Sequence, residues 1–289
     1  MILITGITGL TGKFLYKEIQ KSLPNNEIRY FVRKDSDISW LENRDNIFYG
    51  ELSNIEDIES ALDGIDTVFH LAPRGILSNI LLVCNKLNVN RFFYINSTGV
   101  YSKFKSSTHI DIKNEEELKN SGLIYTIIRP SMIYGNHQDG NIHLLVKLLN
   151  RFPIFPIVGK GTGLMHPIYA GDLANVLVKT ILEEEKTRYK EYDVAGKYPI
   201  AYKELLYNIS KAIGKKRLFI HIPYSLALFI GKIGDYIPNR IISYEKILRL
   251  NEDKNFDYTK AKNDLSFSPI SFEEGIKYEI EALREENII

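Results

Sequence analysis

Gly6, Gly9 and Gly12 recur at three-residue intervals in Thr5-Gly6-Ile7-Thr8-Gly9-Leu10-Thr11-Gly12. The apolar run Ile2-Leu3-Ile4 lies directly before them, and the helical pattern Phe14, Leu15, Ile19, Leu23 follows. This reads as a strand, a glycine turn and a helix. Gly6 suits a tight turn, Gly9 lets the backbone approach a pyrophosphate, and Gly12 permits close packing of helix on strand. The helix N-terminus then faces the anion. The turn, with Thr8, Leu10 and Thr11 beside the glycines, is therefore read as a dinucleotide-binding loop.

The spacing G-x-x-G-x-x-G resembles the short-chain dehydrogenase/reductase superfamily, particularly its extended branch of sugar epimerases, dehydratases and reductases. Further strands are expected at Ile28-Arg29-Tyr30-Phe31-Val32-Arg33, from Asn46 to Leu52, Thr67 to Ala72, Phe92 to Thr98 and Tyr125 to Ile128, the last ending in Arg129-Pro130. Ser53 and Glu56 read as a capping box for the helix after the third strand. Short β-branched runs alternating with helical stretches predict an α/β fold, a Rossmann-type doubly wound parallel sheet with a smaller C-terminal lobe. The nucleotide-binding domain is expected over 1–150 and about 169–197, and the substrate lobe over about 151–168 and 198–289.

The chain has 289 residues, 44% of them hydrophobic, enough for a large core. Its 37 Lys and Arg against 36 Asp and Glu give no bulk charge for nucleic acid or an anionic membrane, so neither partner is expected. Cys84, the one cysteine, reads as a core residue in a reducing compartment, and a cytoplasmic location is expected. The N-terminal apolar run lacks a basic leader. The run Leu226-Ala227-Leu228-Phe229-Ile230-Gly231 is too short to span a bilayer. No pair of the six histidines has metal-ligand spacing, so no metal is expected.

At the end of the second strand, where an NAD enzyme usually carries a carboxylate for the ribose, this chain has Arg33-Lys34. A guanidinium favours a 2′-phosphate, so NADP(H) is expected over NAD(H). By resemblance, Glu51-Leu52 lie near adenine, Leu71-Ala72-Pro73 pass the cofactor after the fourth strand, and Pro130 closes the sixth beside it. Ser131 to Asn136 resembles the turn that opens the substrate cleft.

The family's proton chemistry uses a Ser or Thr after strand five and a Tyr-x-x-x-Lys motif on the next helix. Ser97 matches the first, with Thr98 in reserve. The helix reads His109-Ile110-Asp111-Ile112-Lys113, so histidine stands in the tyrosine's place. The resemblance implies Ser97 orienting the substrate oxygen, His109 exchanging the proton near neutrality and Lys113 binding the nicotinamide ribose. Two literal Tyr-x-x-x-Lys matches, Tyr101 to Lys105 and Tyr258 to Lys262, lie elsewhere and read as decoys, with Tyr101 a substitute for His109.

Met165, seven positions before Asp172, stands where nucleotide-sugar epimerases commonly carry a phosphate-clamping arginine. Asp172 reads as an N-cap or a structural acceptor. The expected function is hydride transfer on a sugar-like or other secondary alcohol or carbonyl small molecule. The alternative is a catalytically silent NADP-binding sensor or scaffold. A homodimer is expected through helices at about 76–87 and 109–121.

Overall fold

The structure, a computed structural model, describes residues 1–23, 27–42, 44, 46–72, 74–237 and 242–289. A seven-stranded sheet forms from β1 (Ile2–Thr5), β2 (Ile28–Val32), β3 (Ile47–Tyr49), β4 (Thr67–His70), β5 (Arg91–Ile95), β6 (Ile124–Pro130) and β11 (Lys190–Val194). Its order is β11-β6-β5-β4-β1-β2-β3, and every pairing is parallel. The inner strands are nearly all Ile, Val, Phe and Tyr and are buried along their length, because helices cover both faces. Successive strands are added outward in opposite directions from β1 and from β4, so the carboxyl ends of these two strands open a crevice.

One face is covered by α1 (Leu10–Ser22) and α6 (Ala170–Leu182), with Leu15 and Ile19 meeting Leu173 and Leu177 in one core. The other is covered by α2 (Ile55–Ala61), α3 (Leu77–Lys86) and α4 (Thr108–Lys119), with Ile58, Leu81, Cys84 and Leu118 in a second core. Burial pushes the Cys84 thiol up to about 12, so it stays an inert core group. α2 corrects one local expectation. Asn54, not Ser53, is its N-cap, and its side chain accepts the Glu56 N–H at 3.0 Å. Asparagine satisfies that donor as well as serine does, and the helix starts one residue later.

A third core joins α5 (Ile142–Arg151), α8 (Tyr202–Ala212) and α12 (Phe272–Glu285) with β8 (Ile154–Val158). Short strand pairs stitch this lobe on: β7 (Ile133–Tyr134) with β10 (Ile168–Tyr169), β9 (Leu164–Met165) with β12 (Ile200–Ala201), and β8 with β13 (Leu218–Ile222). α7 (Glu184–Thr187) precedes β11. α9 (Tyr224–Gly234) and α10 (Tyr244–Leu250) pack on each other, and α11 (Thr259–Leu265) returns to the first core through Ala261 and Leu265. Packing thus moves the expected boundaries: α5 belongs to the smaller lobe and α11 to the larger. Amphipathic stretches show where a helix is, but the surface that receives its apolar stripe is non-local.

Candidate functional site

The glycine turn fixes the first wall of a cleft. Gly6 has φ +81°, and a Cβ there would lie 2.8 Å from the Leu71 carbonyl carbon and 2.9 Å from the Ala72 nitrogen. The exit of β4 therefore runs directly over the turn. A Cβ on buried Gly12 would strike the Ile7 backbone. Gly9 differs, since its Cβ would meet only the Gly6 carbonyl oxygen, at 3.5 Å, and would otherwise project into open space. Gly9 also N-caps α1 with no side-chain cap and no acid in the first turn, which leaves the helix's leading N–H groups for an anion.

The cleft measures about 370 Å³ and is lined by Gly6, Gly9 to Gly12 and Leu71 on one side. Ser131 to Ile133 and Gln138 to Asn141 line the other. Thr8 is half-buried in the turn, Ala72 is buried behind it, and Pro73 lies outside the described residues. Pro130 is buried at the end of β6, where its carbonyl accepts the Thr98 hydroxyl at 3.4 Å. Thr98 is thereby committed, and Ser97 is the serine or threonine of this turn left half-buried at the sheet edge. Beyond the end of β2, Arg33 and Lys34 are exposed, with Arg33 Nε 3.5 Å from Asp35. Glu51 is exposed while its N–H donates to the Asp57 carboxylate, and Leu52 packs on the second core.

Gln138 to Asn141 were not marked by any sequence motif for ligand binding. Asp139 holds this wall by accepting the N–H groups of Asn141 at 2.8 Å and His143 at 3.1 Å. Behind it Glu279 of α12 is fully buried, and burial, with the neighbouring Asp139 charge, pushes its carboxyl up to about 10. Its folded value lies above its ordinary one. The stability it contributes is therefore complete below about pH 4.5 and is lost as pH rises toward 10, at about 1.4 kcal/mol per unit. Glu279→Gln is expected to flatten this slope and raise stability at pH 8 relative to wild type. Urea unfolding at pH 5 and pH 8 checks it, and parallel losses in the two proteins would refute the assignment.

The proton-transfer end differs from expectation. α4 buries Asp111, Asn114, Glu115 and Leu118. At about 100° per residue, His109 and Lys113 fall on the opposite side of the helix, and both are exposed. The structure therefore does not bring His109 or Lys113 to Ser97. The four-residue ladder on the inner face is Asp111–Glu115, two residues out of phase with the His109–Lys113 reading, and a shift of two rotates a helix by about 200°. The local pattern is misleading because Ile110 and Ile112 point outward, 38% and 42% exposed, while Asp111 is wholly buried.

Lys105 takes up the space beside Ser97. Its Nζ pairs with Asp111, and a side chain on Gly99 would collide with both Lys105 Nζ and Ser97 Oγ, so the two groups flank one backbone carbon. Ser97 Oγ accepts the Gly99 N–H at 2.9 Å. Behind this pair, Asn96 donates to Glu115 at 2.6 Å, and Arg129 reaches Glu115 through Nε at 2.7 Å and Glu191 through Nη2. Tyr101 donates to Asp193 at 2.9 Å and accepts from Arg129 at 3.2 Å. Burial opposes charge on Arg129, but the hydrogen bonds and charge of Glu115 outweigh it and keep the guanidinium firmly protonated. Burial, then the Asp193 charge, pushes the Tyr101 phenol up to about 12, so it is a proton donor rather than a base at neutral pH. Tyr101 and Lys105, read as a decoy pair, thus both enter the polar cluster.

Met165 is buried in the third core and clamps nothing. Asp172 sits in the first turn of α6 and accepts the Ile270 N–H at 2.9 Å; Tyr169, not Asp172, is the N-cap. Burial raises the Asp172 carboxyl to about 6, moderated by that hydrogen bond.

Residues 6–183 match the model of a family described as NAD(P)H-binding, which spans more than half of the chain. Among curated proteins, an Escherichia coli O157:H7 N-acetyl-alpha-D-glucosaminyl-diphospho-ditrans,octacis-undecaprenol 4-epimerase is 24% identical, over 84% of this chain and 86% of its own. A 2-alkyl-3-oxoalkanoate reductase from Shewanella oneidensis is 22% identical, over 79% and 73%. The UDP-glucuronic acid 4-epimerase of Bacillus cereus, solved with UDP-glucuronic acid and NAD, superposes with a TM-score of 0.78 at 18% identity over 99% of both chains. At that identity the likeness is one of fold. Together with the cleft built on Gly6, Gly9 and Gly12, the match over residues 6–183 shows that this chain belongs to the NAD(P)H-binding family.

Proposed function

We propose that this protein transfers a hydride between a nicotinamide dinucleotide, NADP(H) in preference to NAD(H), and a sugar-like or other secondary alcohol or carbonyl compound. One observation carries the reading: Ser97 Oγ and Lys105 Nζ flank Gly99 at the carboxyl end of β5, on the same sheet edge as the glycine cleft. The nicotinamide, when bound, supplies or accepts the hydride. Ser97 receives the Gly99 N–H and keeps its own proton for the substrate oxygen. Lys105, anchored on Asp111, stabilises negative charge developing on that oxygen. Tyr101 stands by as a protonated donor.

Lys105→Ala is expected to lower kcat/KM by about 10²-fold or more, while His109→Ala and Lys113→Ala stay near wild type. NADPH fluorescence over a panel of carbonyl compounds measures this, and a comparable loss in His109→Ala would return the proton role to the imidazole. The outward His109 and Lys113 favour a second reading, an NADP-binding sensor or scaffold. Bound cofactor with no turnover across the panel would decide for it.

The cofactor preference rests on Arg33 and Lys34, exposed beyond β2. Each charge-assisted hydrogen bond to a 2′-phosphate contributes roughly 1.5–3 kcal/mol, part of which is spent in releasing Arg33 from Asp35. Calorimetry should show tighter NADPH than NADH binding, eroded by Arg33→Ala; equal wild-type affinities would refute the preference. A homodimer through α3 and α4, which expose Leu82, Ile110 and Ile112, belongs to the same proposal and is tested by sedimentation over a concentration series.

A further inference from the structure

α9 packs with its small residues inward and its large ones outward. Ala227, Gly231 and Gly234 are buried, and a Cβ on Gly231 would come within 2.8 Å of Ile247 and 3.0 Å of the Tyr244 backbone. Glycine is what lets α9 lie this close to α10. Leu226, Phe229, Ile230 and Ile233 then share one stripe of the helix and are 46%, 62%, 40% and 50% exposed. Scattered apolar side chains on a surface need no explanation, but a continuous ridge of four does. The strand feeding α9 exposes apolar side chains as well: Leu218 and Ile220 of β13, with their cross-strand neighbours Ile154 and Pro156 on β8.

The charge around this ridge is mostly positive. Residues 211–250 carry eight Lys and Arg against two acids, Asp235 and Glu245, whereas the whole chain is +1, so the rest of the protein is net acidic. Exposed Lys215, Lys216 and Lys232 lie on or next to the elements that bear the apolar residues. A protein partner would be matched by shape, but an apolar ridge with basic flanks matches the boundary between acyl chains and anionic headgroups. Among the described residues no helix is long and apolar enough to cross a membrane, and seating at the interface needs only one helix face.

We propose that α9 docks this protein on an anionic lipid surface, its Leu226–Ile233 ridge entering the headgroup boundary and Lys215, Lys216 and Lys232 facing the phosphates. This departs from the expectation of no membrane contact, which rested on the length of the run and the balanced total charge. Neither quantity reports which side of α9 is covered. The docking element is tied to the candidate site, because Glu245 of α10 accepts the Ser106 N–H at 3.3 Å and Glu252 accepts the Lys103 N–H and the Ser102 hydroxyl. The loop that carries Lys105 is thus held by the helix that backs α9 and by the turn after it.

The test is co-sedimentation of the full chain with phosphatidylcholine vesicles with and without phosphatidylglycerol, for wild type and Phe229→Asp/Ile233→Asp. Both substituted side chains are exposed, and circular dichroism with cofactor calorimetry verifies the variant's fold. Wild type is expected to bind phosphatidylglycerol vesicles at least about tenfold more strongly than neutral ones. Binding should weaken as salt approaches 1 M, where the Debye length is about 3 Å, and be lost in the variant. The proposal is overturned if wild type ignores phosphatidylglycerol vesicles or if the folded variant binds like wild type. It is also overturned if the ridge instead mediates a dimer that the double substitution abolishes.

Discussion

Gly9→Val is expected to abolish dinucleotide binding while the protein stays folded. Gly9 has φ −78° and ψ 173°, an extended conformation that valine adopts without strain, and its Cβ would make one ordinary contact, with the Gly6 carbonyl oxygen at 3.5 Å, and otherwise face open space. That open space is the floor of the cleft, where two methyl groups would displace the pyrophosphate from the leading N–H groups of α1. A loss of at least about 10²-fold in cofactor affinity, or about 2.7 kcal/mol, should appear by calorimetry with the circular dichroism spectrum and melting curve retained. Gly12→Val is the contrasting substitution. Its side chain would press into the Ile7 backbone, so it should damage the fold itself. Wild-type affinity in Gly9→Val would place the dinucleotide elsewhere.

Arg129→Ala is expected to cost roughly 3–5 kcal/mol of stability, because it strands carboxylates that the fold has already desolvated. Glu115 is slightly more buried than Arg129, and Glu191 and Asp193 crowd the same guanidinium. Lys119, 2.6 Å from Glu191 and 3.9 Å from Glu115, compensates only the outer part of the cluster. In a Glu115→Gln background the same substitution should cost markedly less, since fewer charges are left unpaired. Urea denaturation of the four proteins measures the coupling, and strictly additive effects would refute the network. Since Arg129 also bonds Tyr101, Arg129→Ala should loosen that phenol as well.

The strand–turn–helix at the N-terminus was legible because each requirement is local: β-branched residues for β1, glycine where φ is positive or backbones touch, and an apolar stripe at helical spacing. The sheet followed for the same reason, as short apolar runs separated by helical stretches admit few arrangements other than a parallel sheet. The reading failed on α4. Its sequence offers apolar residues at 110, 112 and 118 and acids at 111 and 115, and ordinary patterning would bury the former. Asp111 and Glu115 go inside because Lys105 and Arg129 await them there, and those partners come from the loop before α4 and from β6 after it, outside the helix whose pattern was read.

α9 shows the same division from the opposite direction. That it is an apolar helix is written in residues 224–234, yet whether its bulky or its small side faces the protein depends on how closely α10 can approach, and Gly231 and Gly234 settle that only once α10 is present. By itself, then, the sequence determined the glycine turn between β1 and α1, the order of strands and helices and the surplus of cations over 211–250. Tertiary structure decided which face of each helix is spent on packing, and through that which charged groups stand beside Ser97 and which apolar ones meet solvent. Backbone conformation and spacing are set by near neighbours along the chain, whereas burial and ion pairing are set by whatever the fold brings alongside.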